Sequence, residues 1–333
     1  MKVLIATSDR QKGGIERALR DQLSLLADID DISLSVLAPD GSFADQARQK
    51  GIAHRTVHDH HRLMMRYMPA LSSMMLGQAE FDIILCHNGF MAAALRRHTK
   101  RLIGICHNDK PHQFKAVDEL VCLTKRAADK AKNYGWQDAQ LHIIPHYQDT
   151  ITKTKITSHH PLRVGAAGRM VAKKNLGLFI EIAALVKATH PEIEFELAGT
   201  GELETQIKEL NKIKGEPVTL LGWTDFDAFL DRLDLFIIPS HDEPFGYVFI
   251  EAMSQGIGIL SSPTNGAYHC LDEGKTAPII NPIDAEKFAD KIIALAQSET
   301  ELKALKRACL KRAKDPIFTK QTALETWRSA LLP

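Results

Sequence analysis

The fold of this chain is decided by one stretch, Ser240-His-Asp-Glu-Pro-Phe-Gly-Tyr-Val-Phe-Ile-Glu-Ala-Met-Ser-Gln-Gly256. It follows Asp234-Leu-Phe-Ile-Ile-Pro239, an apolar run typical of a buried strand in a parallel sheet. A turn at Glu243–Gly246 then opens a predicted helix, which ends near Gly256. Amides in the first turn of a helix lack helical partners and attract anions, so the stretch predicts a strand that leads into an anion site.

Outside this stretch, apolar runs typical of strands alternate with longer amphipathic segments typical of helices. The alternation is interrupted by a polar segment from Gln148 to Pro161, which has the composition of a linker. We therefore predict an α/β protein with two doubly wound parallel-sheet domains, over residues 1–150 and 151–316, followed by a last amphipathic helix within 317–333. Two such domains leave a cleft in which two substrates can meet.

Composition limits the class of protein. A chain of 333 residues can build two domains with cores, and its net charge of +1 gives no reason to expect a nucleic-acid partner. The five cysteines lack Cys-x-x-Cys spacing, which argues against a zinc site or a disulfide framework. The chain opens with a predicted strand, Lys2–Thr7, rather than a signal peptide, and no apolar run is long enough to span a bilayer. We expect a cytoplasmic protein.

Two carboxylates, Glu243 and Glu251, lie inside the pattern Pro-Ser-x-x-Glu-Pro-Phe-Gly-x-x-x-x-Glu-Ala-Met-x-x-Gly, with seven residues between them. This pattern resembles the signature of retaining glycosyltransferases of the large fourth sequence family, the group 1 glycosyl transferases. The resemblance covers nearly the whole chain and is strongest from Gly168 to Gly256. It implies the GT-B fold, in which two Rossmann-like domains face a cleft and the C-terminal helix crosses back to the first domain.

The resemblance places a nucleotide diphosphate sugar, the donor, on the second domain. Arg169 and Lys174 match the family's Gly-Arg-x-x-x-x-Lys motif and would hold the diphosphate, whose charge grows as the glycosidic bond breaks. Glu243 would meet sugar hydroxyls near the anomeric carbon, and Glu251 the ribose hydroxyls. Further donor contacts are expected from Gly13, Gly14, Gly199, Gly201, Trp223, Phe245, Gly246 and Tyr247.

Some of these features have simpler explanations. Gly13-Gly14 also suits a flexible turn between a strand and a helix. Gly199-Thr-Gly201 is a weak dinucleotide signal, but Glu204 stands in place of the third glycine, so NAD is not inferred. Trp223 is equally well explained as a packed indole. No cofactor is expected besides the sugar nucleotide as co-substrate.

Histidines end two predicted strands of the first domain, Phe81–His87 and Arg101–His107. A lone histidine at such a place is more often structural, although ligand sites gather at the carboxyl ends of parallel strands. The resemblance makes His107 the main candidate, where it would position the sugar or stabilise oxocarbenium-like charge. Weaker candidates for contacts with the acceptor are Glu16, His87 and Asn108.

The chain departs from the family pattern in two places. Pro145-His146-Tyr147 replaces the usual Pro-Asn-Gly after the last strand of the first domain. After the helix of the central stretch, Asn265-Gly266 replaces Gly-Gly, and His269 occupies the position of a glutamate. We expect the loop still to offer amides to the donor. We also expect the substitution to alter which donor is bound.

Residues 54–77 combine histidines, methionines and arginines. A metal site at His58-Asp-His-His61 would lack a second cluster of ligands, so we favour an amphipathic helix. Its soft apolar face over residues 62–76 has three explanations that the sequence leaves open, namely core packing, a groove for a lipid acceptor, and a contact with the membrane surface.

The expected function is transfer of a sugar, with retention, to a glycan or lipid-linked acceptor in the synthesis of cell-surface polysaccharide or lipopolysaccharide. No side chain is an evident nucleophile, which favours attack and departure on one face of the sugar. Asp28-Ile-Asp30 lies in an acidic surface turn rather than in a metal signature, so no essential divalent ion is expected. A peripheral contact with the inner membrane would suit such an acceptor. The alternatives are a catalytically silent partner in a polysaccharide assembly complex, and a nucleotide-sugar epimerase or phosphorylase with the same fold.

Overall fold

A computed structural model describes residues 1–10, 13–68, 76–77, 79–148, 156 and 158–332. The chain divides into two compact units. Unit 1 comprises Met1–Tyr147 and Lys320–Pro333, and unit 2 comprises Gln148–Thr319. Most of the predicted linker lies outside the described residues, as do Met74 and Met75 of the methionine-rich stretch.

Unit 1 contains a parallel sheet of seven strands in the order β3-β2-β1-β4-β5-β6-β7. The strands are β1 (Lys2–Ala6), β2 (Ser33–Ala38), β3 (Ala53–Thr56), β4 (Phe81–Cys86), β5 (Thr99–Cys106), β6 (Glu119–Cys122) and β7 (Leu141–Ile143). The strand order reverses between β1 and β4. In open α/β sheets, ligands bind beside such a switch point, outside the carboxyl ends of the strands.

Helices cover both faces of this sheet, and each face has its own core. The α-helices of the described residues before 148 are α1 (Gly14–Ala27), α2 (Ser42–Gln49), α3 (Asp59–Tyr67), α4 (Gly89–Leu95) and α5 (Lys125–Lys132). Strand β1 shows how the pattern works, because Val3 and Ile5 join one core while Leu4 and Ala6 join the other. Burial on both faces explains why the strands are continuous apolar runs.

Unit 2 contains a second parallel sheet, of five strands in the order β10-β9-β8-β11-β12. The strands are β8 (Arg163–Ala167), β9 (Glu194–Ala198), β10 (Thr219–Gly222), β11 (Leu235–Ile238) and β12 (Gly258–Ser261). The helices are α6 (Leu176–Lys187), α7 (Glu204–Ile213), α8 (Phe226–Leu230), α9 (Tyr247–Ser254), α10 (Asn265–Cys270), α11 (Ala285–Gln297) and α12 (Glu299–Ala313). Here the order reverses between β8 and β11, so the loops after these two strands flank the switch point. The predicted pair of doubly wound parallel sheets is confirmed.

The last helix, α13 (Lys320–Leu331), belongs to unit 1 rather than to unit 2. Its Trp327 is buried in the core that also holds Val3 and Ile5. The guanidinium of Arg101 donates to the carbonyl oxygens of Ala330 at 2.7 Å and Leu331 at 3.1 Å. A cation at these terminal carbonyls complements the negative end of the helix dipole.

Two elements differ from the sequence prediction. Strand β3 was not predicted, because Ala53-His-Arg-Thr56 is an edge strand with little burial and so carries almost no apolar pattern. The sequence from Asp284 to Lys314 predicts a continuous helical segment. In the structure this segment forms two helices, α11 and α12, which meet at Ser298. The Ser298 hydroxyl accepts a hydrogen bond from the amide of Glu301 at 3.3 Å and caps α12.

A buried ion pair lies at the amino end of the sheet in unit 2. Asp234, which precedes β11, is fully buried, and Lys306 of α12 is 1% exposed. The Nζ of Lys306 and the Oδ1 of Asp234 are 2.7 Å apart. The same carboxylate accepts hydrogen bonds from the amides of His159 and Arg163, each at 3.1 Å. This network joins α12, β11 and the start of β8 at the edge opposite to the switch-point loops.

Candidate functional site

Three loops at the carboxyl edge of the sheet in unit 2 are held together by backbone hydrogen bonds. The amide of Met170 donates to the carbonyl of Thr200 at 2.8 Å, and that of Gly199 donates to Gly222 at 2.6 Å. A Cβ atom on Gly199 would lie 2.0 Å from the carbonyl oxygen of Gly168, so only glycine allows this approach. The Gly199–Gly201 turn thus supports the loop that carries Arg169.

The loop after β8 is also tied to the loop after β11, across the switch point. The amide of His241 donates to the carbonyl of Lys173 at 2.8 Å, and the side-chain amide of Asn175 donates to Pro239 at 3.2 Å. The ammonium group of Lys174 forms an ion pair with the carboxylate of Glu243, and the two side chains are 17% and 9% exposed. A charge-assisted hydrogen bond with so little exposure fixes both groups in place.

Helix α9 begins directly after Glu243. Gly246 has φ 75°, and a Cβ atom there would lie 2.6 Å from the Cγ of Glu243. The side chains of Phe245 and Tyr247 are buried, so these residues can offer a ligand only their backbone. Glu251 is half-buried one turn further into the helix. The first turn of α9 therefore presents main-chain amides beside the Glu243 carboxylate.

Trp223 follows β10 on the same edge of the sheet and is 82% exposed. The alternative of a packed indole is therefore wrong. An exposed indole beside the Gly199 turn offers a flat apolar surface for stacking.

His269 of α10 stands in the neighbourhood of α9. Its ring lies 5.7 Å from the ring of Phe245 and 6.0 Å from that of Phe318, measured between centroids. Burial, with the nearby Arg312 guanidinium adding to it, lowers the pKa of His269 to about 4. Where the family pattern has a carboxylate, this chain therefore has a neutral aromatic ring at pH 7.

In unit 1, the loops after β1 and β4 meet at the other switch point. The side chain of Asn88 accepts a hydrogen bond from the amide of Ser8 at 2.7 Å and donates to Asp9 at 3.1 Å. Gly13, with φ 137°, is the N-cap of α1, which begins at Gly14. Glu16 on the first turn of α1 accepts a hydrogen bond from the Ser42 hydroxyl, which turns its carboxylate toward α2.

Three histidines from different loops of unit 1 lie with their rings nearly parallel. Centroids of His87 and His107 are 5.0 Å apart and those of His107 and His146 are 6.0 Å apart, with planes 20° and 18° from parallel. Burial lowers the pKa of His107 to about 4 and lowers the pKa of His87 and His146 well below the usual range. Asn108, next to His107, donates to Gln113 at 3.2 Å and shapes its own turn.

These histidines predict a loss of stability in acid. Their pKa is lower in the folded chain than the unperturbed value of about 6.5, so the unfolded chain binds more protons below that pH. The contribution of these neutral histidines to the free energy of unfolding should be complete above pH 6.5. It should fall as the pH approaches about 4, the pKa of His107 in the folded protein. Each such histidine contributes a slope of up to about 1.4 kcal/mol per pH unit.

Urea unfolding at a series of pH values between 7 and 4 measures this slope. The variant His107→Phe should have a shallower slope than the wild type. The matched control His112→Gln changes an exposed histidine and should keep the wild-type slope. Equal slopes for wild type and His107→Phe would show that His107 does not carry this pH dependence.

Part of the histidine-rich and methionine-rich stretch, Asp59–Tyr67, forms helix α3. The rings of His58, His60 and His61 lie within 4.0–5.5 Å of one another. Across the described ranges, however, no group of three or more His, Cys, Asp or Glu side chains could hold a metal ion. Met65 is buried, whereas Leu63 and Tyr67 are 60% and 68% exposed, so core packing accounts for only part of this face. None of the described helices is long and apolar enough to cross a membrane.

The geometry of unit 2 agrees with comparisons with known proteins. Residues 161–298 match the model of the family described as Glycosyl transferases group 1. This region belongs to the group 1 glycosyltransferases. The match covers β8 to the end of α11 and therefore includes Arg169, Lys174, Glu243 and Glu251.

Individual relatives support the same assignment. The lipopolysaccharide core biosynthesis glycosyltransferase LpsE of Rhizobium meliloti is 28% identical over 188 residues, which cover 54% of this chain and 54% of LpsE. The Vi polysaccharide biosynthesis protein VipC/TviE of Salmonella typhi is 29% identical over 156 residues, or 44% of this chain and 27% of that protein. The chain thus aligns with about half or less of the length of these relatives.

Among solved structures, Alr3699/HepE of Anabaena in complex with UDP superimposes with a TM-score of 0.81. The alignment covers 99% of both chains at 18% identity, so it shows the fold alone. The predicted GT-B class with two Rossmann-like domains is confirmed.

The group 1 region brings most of the predicted donor residues to one edge of one sheet. Arg169, Lys174, Gly199, Gly201, Trp223, Glu243, Phe245, Gly246, Tyr247 and Glu251 all lie on loops at the carboxyl edge of unit 2 or on the helix that begins there. Gly13, Gly14, His87, His107 and Asn108 lie on the corresponding edge of unit 1, whereas the carboxylate of Glu16 turns toward α2.

The sequence did not lead us to one residue that contacts the histidines of unit 1, Gln22 of α1. It is 6% exposed and its Oε1 lies 2.8 Å from the Nε2 of His87. The signal was present in the sequence, because Gln22 occupies the same helix face as Leu19, Leu23 and Leu26, which are all buried. A glutamine on a core face requires a buried partner.

Proposed function

We propose that this chain transfers a sugar from a nucleotide diphosphate sugar to a glycan or lipid-linked acceptor, with retention at the anomeric carbon. The observation that carries the proposal is the Lys174–Glu243 ion pair at the switch point of unit 2. A cation for a diphosphate and a carboxylate for a sugar stand side by side there. The glycine turns after β8 and β9 and the amides of α9 surround the pair.

The proposed step breaks the bond between the anomeric carbon and the diphosphate oxygen, and its electron pair goes to that oxygen. The acceptor oxygen forms a bond to the same carbon on the same face, and its proton passes to the departing diphosphate. Arg169 and Lys174 stabilise the negative charge that develops on the diphosphate. Lys174 carries three N–H donors, so it can bind phosphate while it keeps Glu243.

Glu243 acts at the sugar end of the donor in this proposal. Its carboxylate accepts hydrogen bonds from sugar hydroxyls and favours the positive charge that builds at the anomeric carbon. Glu251 binds the ribose hydroxyls, and Trp223 offers its exposed indole to the base. His107 of unit 1 positions the sugar. These roles need no bound metal, and we propose a metal-independent enzyme.

The names of two relatives support the proposed class of acceptor. LpsE is named for lipopolysaccharide core synthesis and VipC/TviE for the Vi polysaccharide. We therefore propose a role in the synthesis of cell-surface polysaccharide or lipopolysaccharide. The exposed Leu63 and Tyr67 beside the arginines of α3 suit a peripheral contact with an anionic membrane surface, where a lipid-linked acceptor would lie.

Binding of donors tests the assignment of unit 2. Isothermal titration with UDP, GDP and ADP should give one nucleotide with clearly higher affinity, and UDP is the first to test because HepE was solved with it. Arg169→Met should weaken that binding about tenfold or more, since it removes a charged hydrogen-bond donor. The control Arg163→Met, at the amino end of β8, should bind as the wild type. Equal binding by Arg169→Met and the wild type would overturn the role of Arg169.

A further inference from the structure

A chain of hydrogen bonds runs through the interior of unit 1 and ends at His107. The Oε1 of Gln22 and the Nε2 of His87 are 2.8 Å apart, and the Nδ1 of His87 and the Nε2 of His107 are also 2.8 Å apart. Gln22 and His87 are 6% and 5% exposed. Both ring nitrogens of His87 therefore form hydrogen bonds inside the protein. In this arrangement neither nitrogen can contact the acceptor substrate directly.

The donor and acceptor of each hydrogen bond follow from the side-chain carbonyl of Gln22. A carbonyl oxygen can only accept, so the Nε2 of His87 must carry the proton that it donates to Gln22. A neutral imidazole has one protonated nitrogen, which leaves the Nδ1 of His87 as an acceptor. The Nε2 of His107 must then donate to it. The lone pair of His107 is thereby placed on Nδ1.

The surroundings of His87 and His107 favour neutral imidazole rings. Burial disfavours a charged imidazole at His87 and His107. The rings of His107 and His146 further oppose a positive charge on His87, and the Arg17 guanidinium opposes one on the neighbouring His146. No carboxylate among the described residues is paired with His87 or His107. A protonated His107 would also lose the hydrogen-bond acceptor that the chain creates on Nδ1.

The position of His107 makes this lone pair accessible. Its ring is half-buried, with His87 on one side and His146 on the other. Among the described residues, none forms a hydrogen bond with the Nδ1 of His107. This atom lies at the carboxyl edge of the sheet, where β5 ends.

We infer that Gln22 and His87 are positioning residues that hold His107 as its Nε2–H tautomer and present its Nδ1 as a hydrogen-bond acceptor to a hydroxyl group of the bound sugar or acceptor. The inference rests on the proposed function for the identity of the hydroxyl. The tautomer itself does not depend on it. Reversing the side-chain amide of Gln22 would reverse the direction of each hydrogen bond and turn the Nδ1 of His107 into a donor. Measuring the tautomer of His107 therefore distinguishes the two directions.

The tautomer can be measured on the full-length protein. Two-bond ¹H–¹⁵N correlation spectra of the ¹⁵N-labelled chain at pH 7, assigned with single histidine variants, should show the Nε2–H tautomer for both His87 and His107. Gln22→Met keeps the size of the side chain but removes the carbonyl, and both rings should then show a mixture of tautomers. Gln46→Met is the control, because Gln46 bonds to the Ser24 hydroxyl of α1 at 2.8 Å and not to a histidine.

Turnover adds a second measurement. Gln22→Met should lower kcat about tenfold with the KM for the donor unchanged, and Gln46→Met should leave both constants unchanged. A Nδ1–H tautomer of His107 in the wild type, or tautomers that Gln22→Met does not alter, would overturn the inference. If the wild type turns over no donor while its tautomers are those described, the proposed function fails and the positioning of His107 stands. If tautomers shift but kcat does not, the hydroxyl contact is wrong.

Discussion

Replacement of Glu243 by glutamine is expected to lower kcat for sugar transfer by about 10²–10³-fold, the loss measured when one preorganised group that stabilises transition-state charge is removed. The amide keeps the shape of the side chain and can still accept hydrogen bonds from sugar hydroxyls. It loses the negative charge that favours positive charge at the anomeric carbon. It also leaves Lys174, whose side chain is only 17% exposed, without its ionic partner.

Initial rates at saturating donor and acceptor measure the effect, and circular dichroism checks that the variant is folded. The matched control is Glu204→Gln on α7, whose carboxylate is paired with Lys208 at the surface. This control should keep the wild-type kcat. Retention of more than a tenth of the activity by Glu243→Gln would remove Glu243 from the reaction.

The second large effect concerns stability rather than chemistry. Lys306→Ala is expected to lower the free energy of unfolding by about 3–5 kcal/mol, because it leaves the buried carboxylate of Asp234 without its counter-ion. The amides of His159 and Arg163 still donate to Asp234, and the Nδ1 of the His159 ring lies 3.3 Å from its Oδ2, but neither amide carries a positive charge. Acid should reduce the difference between variant and wild type, since protonation removes the unpaired charge.

Urea unfolding at pH 7 measures this loss. The control Lys303→Ala lies on the same helix, α12, and removes an ion pair with Glu299 in which both side chains are more than a third exposed. It should change the free energy of unfolding by less than about 1 kcal/mol. A Lys306→Ala protein within about 1 kcal/mol of this control would show that the pair contributes little.

The sequence predicts the architecture well because buried parallel strands are continuous apolar runs. The helix after Glu243 and the loops at Gly168 and Gly199 also follow from local patterns, since glycines and a turn mark them. Strand β3 was missed because an edge strand with little burial has no apolar signature. Ser298 was missed as a helix boundary because the amphipathic pattern continues across it.

Contacts between distant residues are beyond such patterns. Nothing near Lys174 or Glu243 in the sequence indicates that the two form an ion pair across the switch point. Their pairing follows from the order of strands, which puts β8 beside β11. The chain from Gln22 through His87 to His107 likewise joins α1 to the ends of β4 and β5. The single local signal for it is a glutamine on the apolar face of α1.

We propose that His269, which stands where the family pattern has a glutamate, affects the choice of donor. A neutral ring packed near Phe245 and Phe318 takes the place of a carboxylate that could accept hydrogen bonds from the donor. Fewer acceptors on α10 should favour a donor with fewer hydroxyl contacts at that position.

Release of nucleoside diphosphate from UDP-, GDP- and ADP-sugars, with EDTA present, tests the central claim most directly. In the absence of acceptor, one donor should be hydrolysed slowly. The Arg169→Met variant should lose this hydrolysis, whereas Arg163→Met should keep it. EDTA should have no effect. If no donor is cleaved and none raises the melting temperature of the protein, the proposed sugar transfer is contradicted and the alternative of a silent partner in an assembly complex is favoured.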